Sequence, residues 1–200
     1  MIFGLFESRF ADDTFALYRS IVTEARRPEF YTACGVPDTV TGRFDMVVLM
    51  VAVVLHRLRL EPASETPAPK RRRGAPATAP ERAQELVDLF FQEMDSALRE
   101  MGVGDMSMPK RMKKLAHAWN GRTQVYDRAL DDGDLEALVA AVSRNVLAEQ
   151  EDRSGAAPLA AHVLSAARRL TAQPIADVLA GRLDWPTPAV AAPASPEPTP

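Results

Sequence analysis

The sequence predicts an all-α fold, a single helical domain of about six to eight helices. Apolar residues recur at helical spacing through most of residues 81–172, and no segment alternates apolar and polar residues as a half-buried strand does. Of the 16 prolines, five lie in 61–80 and six in 185–200, so the remaining chain carries few helix breakers. We expect a helical domain over 1–184, with a flexible Pro- and Arg-rich insertion at 61–80 and a disordered Pro- and Ala-rich tail at 185–200.

Three helices are predicted in the first sixty residues. Residues 12–27 carry an apolar stripe and end at Pro28, because the residue before a proline is pushed out of the α region. A short helix follows Pro28 and ends at Gly35, which tolerates positive φ. The apolar segment 44–60 is rich in valine, so a buried strand competes with a buried helix. Its length and its lack of internal breakers favour the helix.

The second half of the chain predicts a further series of helices. The first begins at Pro80 and ends at Gly102, and an amphipathic helix follows from about Met108 to Leu130. The run Asp131–Asp134 stops that helix and caps the next. A helix over 156–172 and a short piece over 175–180 complete the predicted domain.

Composition and motifs exclude several classes of function. The net charge of −3 is not that of a nucleic-acid-binding chain, and one cysteine cannot build a disulfide framework or a cysteine zinc site. The longest apolar run, 46–55, is about half of a membrane span, and the first ten residues do not resemble a signal peptide. We therefore expect a soluble protein that faces the cytoplasm.

Motifs for catalysis, metals and cofactors are missing from the sequence. His56, His117 and His162 are far apart in sequence and are expected at the surface or at its boundary with the core, and Cys34 is expected to be a small buried hydrophobe. Without a nucleophile elbow, a phosphate-binding loop or a dinucleotide fingerprint, we predict no catalytic residue, no metal ligand and no cofactor. The sequence indicates a protein that works by binding.

The most informative segment for binding is 110–128. It holds six Lys and Arg residues against one acid, Asp127, and most of its cations share the helix side opposite the apolar stripe. This face suits phosphate groups, anionic lipid or an acidic protein surface. The same face would equally complement the acidic segment 81–100 of this chain within the fold. Gly121, in line with the basic side, permits close approach of a partner backbone or of another helix.

Two other segments allow a binding or a structural interpretation. The apolar residues Ile2, Phe3, Leu5 and Phe6 are candidates for shallow membrane contact, or they fold back over the core. The cluster Lys70–Arg73 is either a docking element for phosphates or a solubilising run of charge.

Two ordered blocks of residues resemble the signature of the ubiquinol–cytochrome c chaperone family. The first block comprises Arg27–Tyr31, Gly35–Thr39 and Gly42–Asp45. The second comprises Phe90-Phe91, Met94-Asp95, Leu98–Asp105, Lys110, Lys113-Lys114, Gly121-Arg122 and Tyr126. The resemblance covers about 27–130 strongly, and Leu179–Leu183 weakly. The chain has Leu49-Met50 where the family usually has leucine-histidine, and Trp119-Asn120 where it usually has an aromatic pair.

The resemblance implies a non-enzymatic assembly chaperone for the cytochrome bc1 complex, which binds newly made cytochrome b or another subunit of that complex. It places such a protein in the cytoplasm, in peripheral contact with the inner face of the cytoplasmic membrane. The resemblance and the basic helix together assign a set of residues to partner binding. They are Phe30, Tyr31, Asp38, Arg43, Arg99, Asp105, Lys110, Lys113, Lys114, Trp119, Arg122 and Tyr126. Tyr31 and Trp119 would supply contact area only if they are not buried.

Two alternatives remain at this point. The first is a helical adaptor that binds nucleic acid or the ribosome through the basic helix 110–128 and Lys70–Arg73. The second is an enzyme whose site is assembled from scattered residues, which would require a concave pocket with several perturbed ionisable groups.

Overall fold

The computed structural model describes residues 10–62, 77–102, 104 and 106–189, and it confirms the predicted all-α class. The described residues form α1 (Asp12–Ala25), α2 (Pro28–Thr32), α3 (Val40–Arg59), α4 (Ala79–Glu100), α5 (Met108–Asp131), α6 (Leu135–Asn145), α7 (Ala156–Ala172) and α8 (Ile175–Leu179). No strand occurs in these ranges. None of the described helices combines the length and hydropathy needed to cross a bilayer.

Helix α3 is the central element of the fold. The valine-rich segment is helical, as its length predicted, and α3 begins at Val40 because the Thr39 hydroxyl accepts a hydrogen bond from the Gly42 amide at 3.1 Å. From Met46 to Val54 every side chain is buried. Helices α1, α4, α5 and α7 all pack against α3, so the core surrounds it. A helix that is apolar on every side needs such a complete cover.

The surrounding helices are joined by polar groups inside the fold. The buried guanidinium of Arg82 on α4 contacts Asp13 of α1 at 3.3 Å and donates to the Thr14 hydroxyl, which connects these two helices. On α7, His162 Nε2 lies 2.9 Å from Glu24 Oε1 of α1, and both side chains are buried. Buried polar groups need such partners, since an unpaired one costs roughly 1–3 kcal/mol.

The expected position of two histidines, at the surface or at its boundary with the core, is wrong. His56 and His162 are both buried, whereas His117 is exposed as expected. His162 packs edge to face against Phe30, and its ring lies between α1 and α7. Sequence spacing does not show such burial, because the partners lie far away along the chain.

Ordered residues extend into both segments that were predicted to be irregular, at the end of the insertion 61–80 and at the start of the tail 185–200. At the end of the insertion, Thr78 forms a capping box with Glu81, so α4 begins at Ala79 and not at Pro80. In the predicted tail, Trp185 packs against the core, and its Nε1 donates to Ser20 Oγ at 3.1 Å. Residues 63–76, with Lys70–Arg73, and 190–200 lie outside the described part of the chain.

Cys34 is buried, as the sequence predicted, and burial raises the pKa of its thiol. It also defines a close approach of backbones. A Cβ atom added to Gly155, the residue before α7, would lie 1.9 Å from the Cys34 carbonyl oxygen. No side chain fits at that position unless the loop and α7 separate.

We predict that Gly155→Ala destabilises the fold. The added methyl group would force α7 away from the loop that follows α2, and we expect the free energy of unfolding in urea to fall by roughly 1–3 kcal/mol. Gly121→Ala is the matched control, since that glycine is an exposed helical position with open space around its Cβ. The control is expected to gain up to about 1 kcal/mol. Equal stability of Gly155→Ala and the wild type would refute the predicted contact.

Candidate functional site

Helices α4 and α5 contact each other beside the first turn of α3 and then extend past its start. Phe90 of α4 contacts Phe44 of α3, with 5.9 Å between ring centroids, and Trp119 of α5 contacts Phe90 at 4.4 Å. From this level α4 and α5 each continue for about 15 Å, at 1.5 Å per residue, whereas α3 extends only about 6 Å further to its start at Val40. We call residues 91–118, with the turn between the two helices, the arm.

The arm is little covered by the rest of the molecule. Among its described residues only Met108 is buried. Its remaining large apolar side chains are half-buried or exposed; they are Phe91, Met94, Leu98, Met101, Met106, Met112 and Leu115. Met101 is 51% exposed and Met106 is fully exposed. Five of the eight methionines of the chain lie in the segment 94–112.

A basic stripe runs along α5 on the side away from the core. The stripe consists of Lys110, Lys114, His117, Gly121, Gln124 and Arg128, with Arg111 and Lys113 at its edges, and all of them are exposed. These positions follow one another at three- and four-residue spacing, which places them on one helix face. Within the described ranges no ion pair joins the stripe or its edges to a carboxylate. The interpretation that this face neutralises acids of α4 therefore lacks support.

Gly121 leaves a gap in the middle of the basic stripe. Nothing lies within 4 Å of the position that its Cβ would occupy. Of the two interpretations given by the sequence, close approach of another helix of this fold is therefore excluded for the described residues. Close approach of a partner backbone stays a prediction.

An aromatic cluster closes the base of the arm. Trp119 stacks against Phe90 and Phe91, with 4.4 and 5.6 Å between ring centroids, and Phe90 and Phe91 also meet edge to face at 5.3 Å. Trp119 is only 6% exposed. Since it could supply contact area to a partner only if it were not buried, it does not act as a contact residue in this structure. Its large ring instead fixes the direction in which α4 and α5 leave the core.

Two further predicted partner-binding residues lie in the core, and that assignment is corrected. Phe30 is fully buried against His162, and Tyr126 is 1% exposed. Both side chains fill space between helices and leave no area for a partner. Their aromatic character is explained by packing.

An ion pair with a buried acid also joins α5 to α3, just outside the arm. Arg122 of α5 pairs with Asp45 of α3, and the Asp45 side chain is 7% exposed. Burial raises the pKa of Asp45 to about 6, and the Arg122 guanidinium limits the rise. Arg122 is thus occupied inside the protein and is not a free cation of the basic surface.

Three other predicted residues lie near the start of α3; Asp38 and Arg43 are exposed, and Tyr31 is half-buried. Arg43 Nε lies 2.6 Å from Asp38 Oδ1, and this pair holds the pKa of Asp38 below its ordinary value. Tyr31 donates its hydroxyl hydrogen bond to the Ala25 carbonyl at 2.9 Å. Because Asp38 and Arg43 flank the start of α3, this group lies at the end of the fold from which the arm projects.

The structure thus brings together only part of the predicted set. Lys110, Lys113, Lys114 and Arg99 share the arm, with Arg99 Nε 2.8 Å from Asp95 Oδ2. Asp105 and the candidate membrane residues Ile2, Phe3, Leu5 and Phe6 lie outside the described residues. Sequence reasoning missed the arm as a unit. The concentration of methionine in 94–112 was the signal that could have indicated it.

One group of side chains has the composition of a metal site. His56, Asp127 and Asp131 offer ligand atoms within 4.8 Å of one another. However, Arg59 donates to both carboxylates, with Nε 3.1 Å from Asp127 Oδ2. The guanidinium already supplies the positive charge there, so the group is an ion-pair network between α3 and α5.

Comparisons with known proteins identify similar chains. The model of a family described as ubiquinol-cytochrome C chaperone matches residues 32–185. A crystal structure of the Cbp3 homolog from Brucella abortus is 36% identical, with a TM-score of 0.74, and the match covers 90% of this chain and 92% of that one. No curated protein matches the sequence.

We predict that Asp45 makes stability depend on pH. Its pKa is higher in the folded chain than the ordinary value near 3.8, so the folded state binds the proton more tightly. On account of this group, the free energy of unfolding rises as the pH falls from about 7 to about 4. The difference in unfolding free energy between wild type and Asp45→Asn is expected to shift by about 1 kcal/mol in favour of wild type between roughly pH 7 and pH 5.

Urea unfolding of both proteins at the two pH values measures this shift, and the comparison cancels other titrating groups. An unchanged difference, or a shift in favour of Asp45→Asn, would contradict the assigned environment of Asp45.

Proposed function

The chain belongs to the ubiquinol–cytochrome c chaperone family, and on this premise we propose that it binds newly made cytochrome b at the membrane surface during assembly of the cytochrome bc1 complex. In this proposal the arm is the client-binding element. The protein acts by binding and releases its client unchanged. The exposed Asp38 and Arg43 and the half-buried Tyr31, at the same end of the fold, border the client surface.

The observation that carries this proposal is the position of the second signature block. Most of that block, from Phe91 to Lys114, lies on the arm, where only Met108 is buried among the described residues. Packing against the core accounts for Phe91 and Met94, but not for the exposed members of the block. Side chains that are not used by the core are available to a partner, and large apolar ones gain most from being covered.

The chemistry of the arm suits a membrane-protein client. Methionine is unbranched and polarisable, so a surface rich in it adapts to apolar segments of different shape. Cytochrome b is a membrane protein, and its apolar segments need cover until they are inserted. The half-buried side chains of Met94, Met112 and Leu115 offer such cover beside the aromatic base of the arm.

The alternative adaptor function is less favoured. The exposed basic stripe would suit RNA, but the chain carries a net charge of −3 and the stripe contains no exposed Phe, Tyr or Trp ring for base stacking. RNA affinity that falls steeply with salt, with no effect of arm variants on the bc1 complex, would favour the adaptor over the chaperone.

We predict that loss of the gene reduces the assembled bc1 complex, measured by native gel electrophoresis and by ubiquinol–cytochrome c reductase activity of membranes. Re-expression of the wild-type chain restores the complex. The variant Met112→Gln/Leu115→Gln is expected to restore it only in part, because amide groups weaken apolar contact on the arm.

The matched control is Leu60→Gln/Leu135→Gln, which changes two exposed leucines outside the arm. It is expected to restore the complex fully, with immunoblots showing equal amounts of all variants. Normal bc1 complex without the gene would refute the assembly role. Equal rescue by the two variants would refute the assignment of the client surface to the arm.

A further inference from the structure

The tip of the arm combines two features that nothing else in the described molecule combines. Met101 and Met106 are exposed in the turn between α4 and α5, and Lys110, Arg111, Lys113 and Lys114 follow in the first two turns of α5. Two exposed methionines at the tip are thus followed along the chain by a group of exposed cations. The core does not require either feature, since none of these side chains is buried.

The spacing of these features matches the layers of a bilayer surface. Residues 110–114 lie about 3–9 Å along the helix axis from Met108, the first residue of α5, and Met106 precedes Met108 in the turn. The headgroup layer of a bilayer is roughly 5–8 Å thick, because the core of about 30 Å is part of a total of about 40–45 Å. If Met106 reaches the acyl boundary, the cations of α5 stand at the level of the phosphates and just above them.

From these observations we infer that the tip docks on an anionic phospholipid bilayer, with Met101 and Met106 inserted and Lys110, Arg111, Lys113 and Lys114 against the lipid phosphates. The contact lies on the α5 side, because α4 ends with the exposed acid Glu100. The inference deepens the proposed function: it names the surface on which the client would be received.

Charge decides between lipid and the other partners. Cytoplasmic loops of membrane proteins are enriched in Lys and Arg, so the flanks of a membrane client would repel the cations of the tip. An anionic leaflet attracts them, and each cation adds to that attraction within a Debye length. Exposed methionines gain nothing from an RNA backbone, whereas they gain from contact with acyl chains.

The test is co-sedimentation of the full-length chain with phospholipid vesicles. One set contains phosphatidylcholine alone, and the other contains roughly one third phosphatidylglycerol, which supplies the negative surface potential. We expect binding to the anionic set only, and we expect that binding to fall steeply as salt is raised. Equal binding to both sets, or no binding to either, would overturn the inference.

Three variants assign the binding to the tip. Lys110→Gln/Lys113→Gln/Lys114→Gln is expected to lower partitioning at least about tenfold, and Met101→Ser/Met106→Ser by about tenfold. Lys110→Arg/Lys113→Arg/Lys114→Arg keeps the charge and is expected to bind like the wild type. The matched control, Arg19→Gln/Arg144→Gln/Arg168→Gln, removes the same charge from exposed positions of α1, α6 and α7 and is expected to bind normally.

A control that loses as much binding as the tip variant would mean that overall charge, and not the tip, attracts the chain, and this would overturn the inference. Retention of the chain on RNA but not on anionic vesicles would also overturn it. Because the vesicles contain no client, failure here leaves the assembly role intact. Failure of the assembly role, in turn, is seen in the bc1 complex and not in sedimentation.

Discussion

The whole structure depends on one buried helix. Helix α3 buries every side chain from Met46 to Val54, so it has no face that can be left in water. Four helices cover it, and each must present an apolar stripe towards it. The positions of α1, α4, α5 and α7 follow from this requirement, and α6 and α8 then cover the outer faces of α5, α7 and α1.

The same requirement explains why the arm is exposed. Past the start of α3, α4 and α5 have no central helix to cover, yet both continue for about 9–10 Å, a little under two turns. Their apolar residues therefore face each other or solvent, and the basic stripe of α5 stays unpaired within the described residues. The body of the fold fixes the arm through Trp119 and the Asp45–Arg122 pair, so a rigid scaffold presents an adaptable surface.

Periodicity in the sequence predicted the class and most of the helices, because amphipathic stripes are local. It located α3 to within four residues at its start, where the Thr39 cap and not apolar pattern sets the boundary. Pairs such as Asp45 with Arg122 and Glu24 with His162 could not be predicted, since 77 and 138 residues separate them.

The candidate site was harder to predict from the sequence than the fold. The family resemblance named a segment of α5 but could not separate Lys110 and Lys114, which face solvent, from Trp119 and Tyr126, which face the core. A signature residue can be shared because it packs or because it binds, and only burial distinguishes the two. Met101, an exposed signature residue, is not explained by packing in the core.

Hydrogen–deuterium exchange tests most directly whether the arm is the working surface of this chaperone. The full-length chain is measured alone and again after capture together with cytochrome b from membranes that are assembling the bc1 complex. We expect the amides of residues 91–118 to gain protection in the captured form, while those of α6 and α7 keep their rates, because client contact is confined to the arm. Protection that appears on α6 and α7, with no change in the arm, would contradict the account.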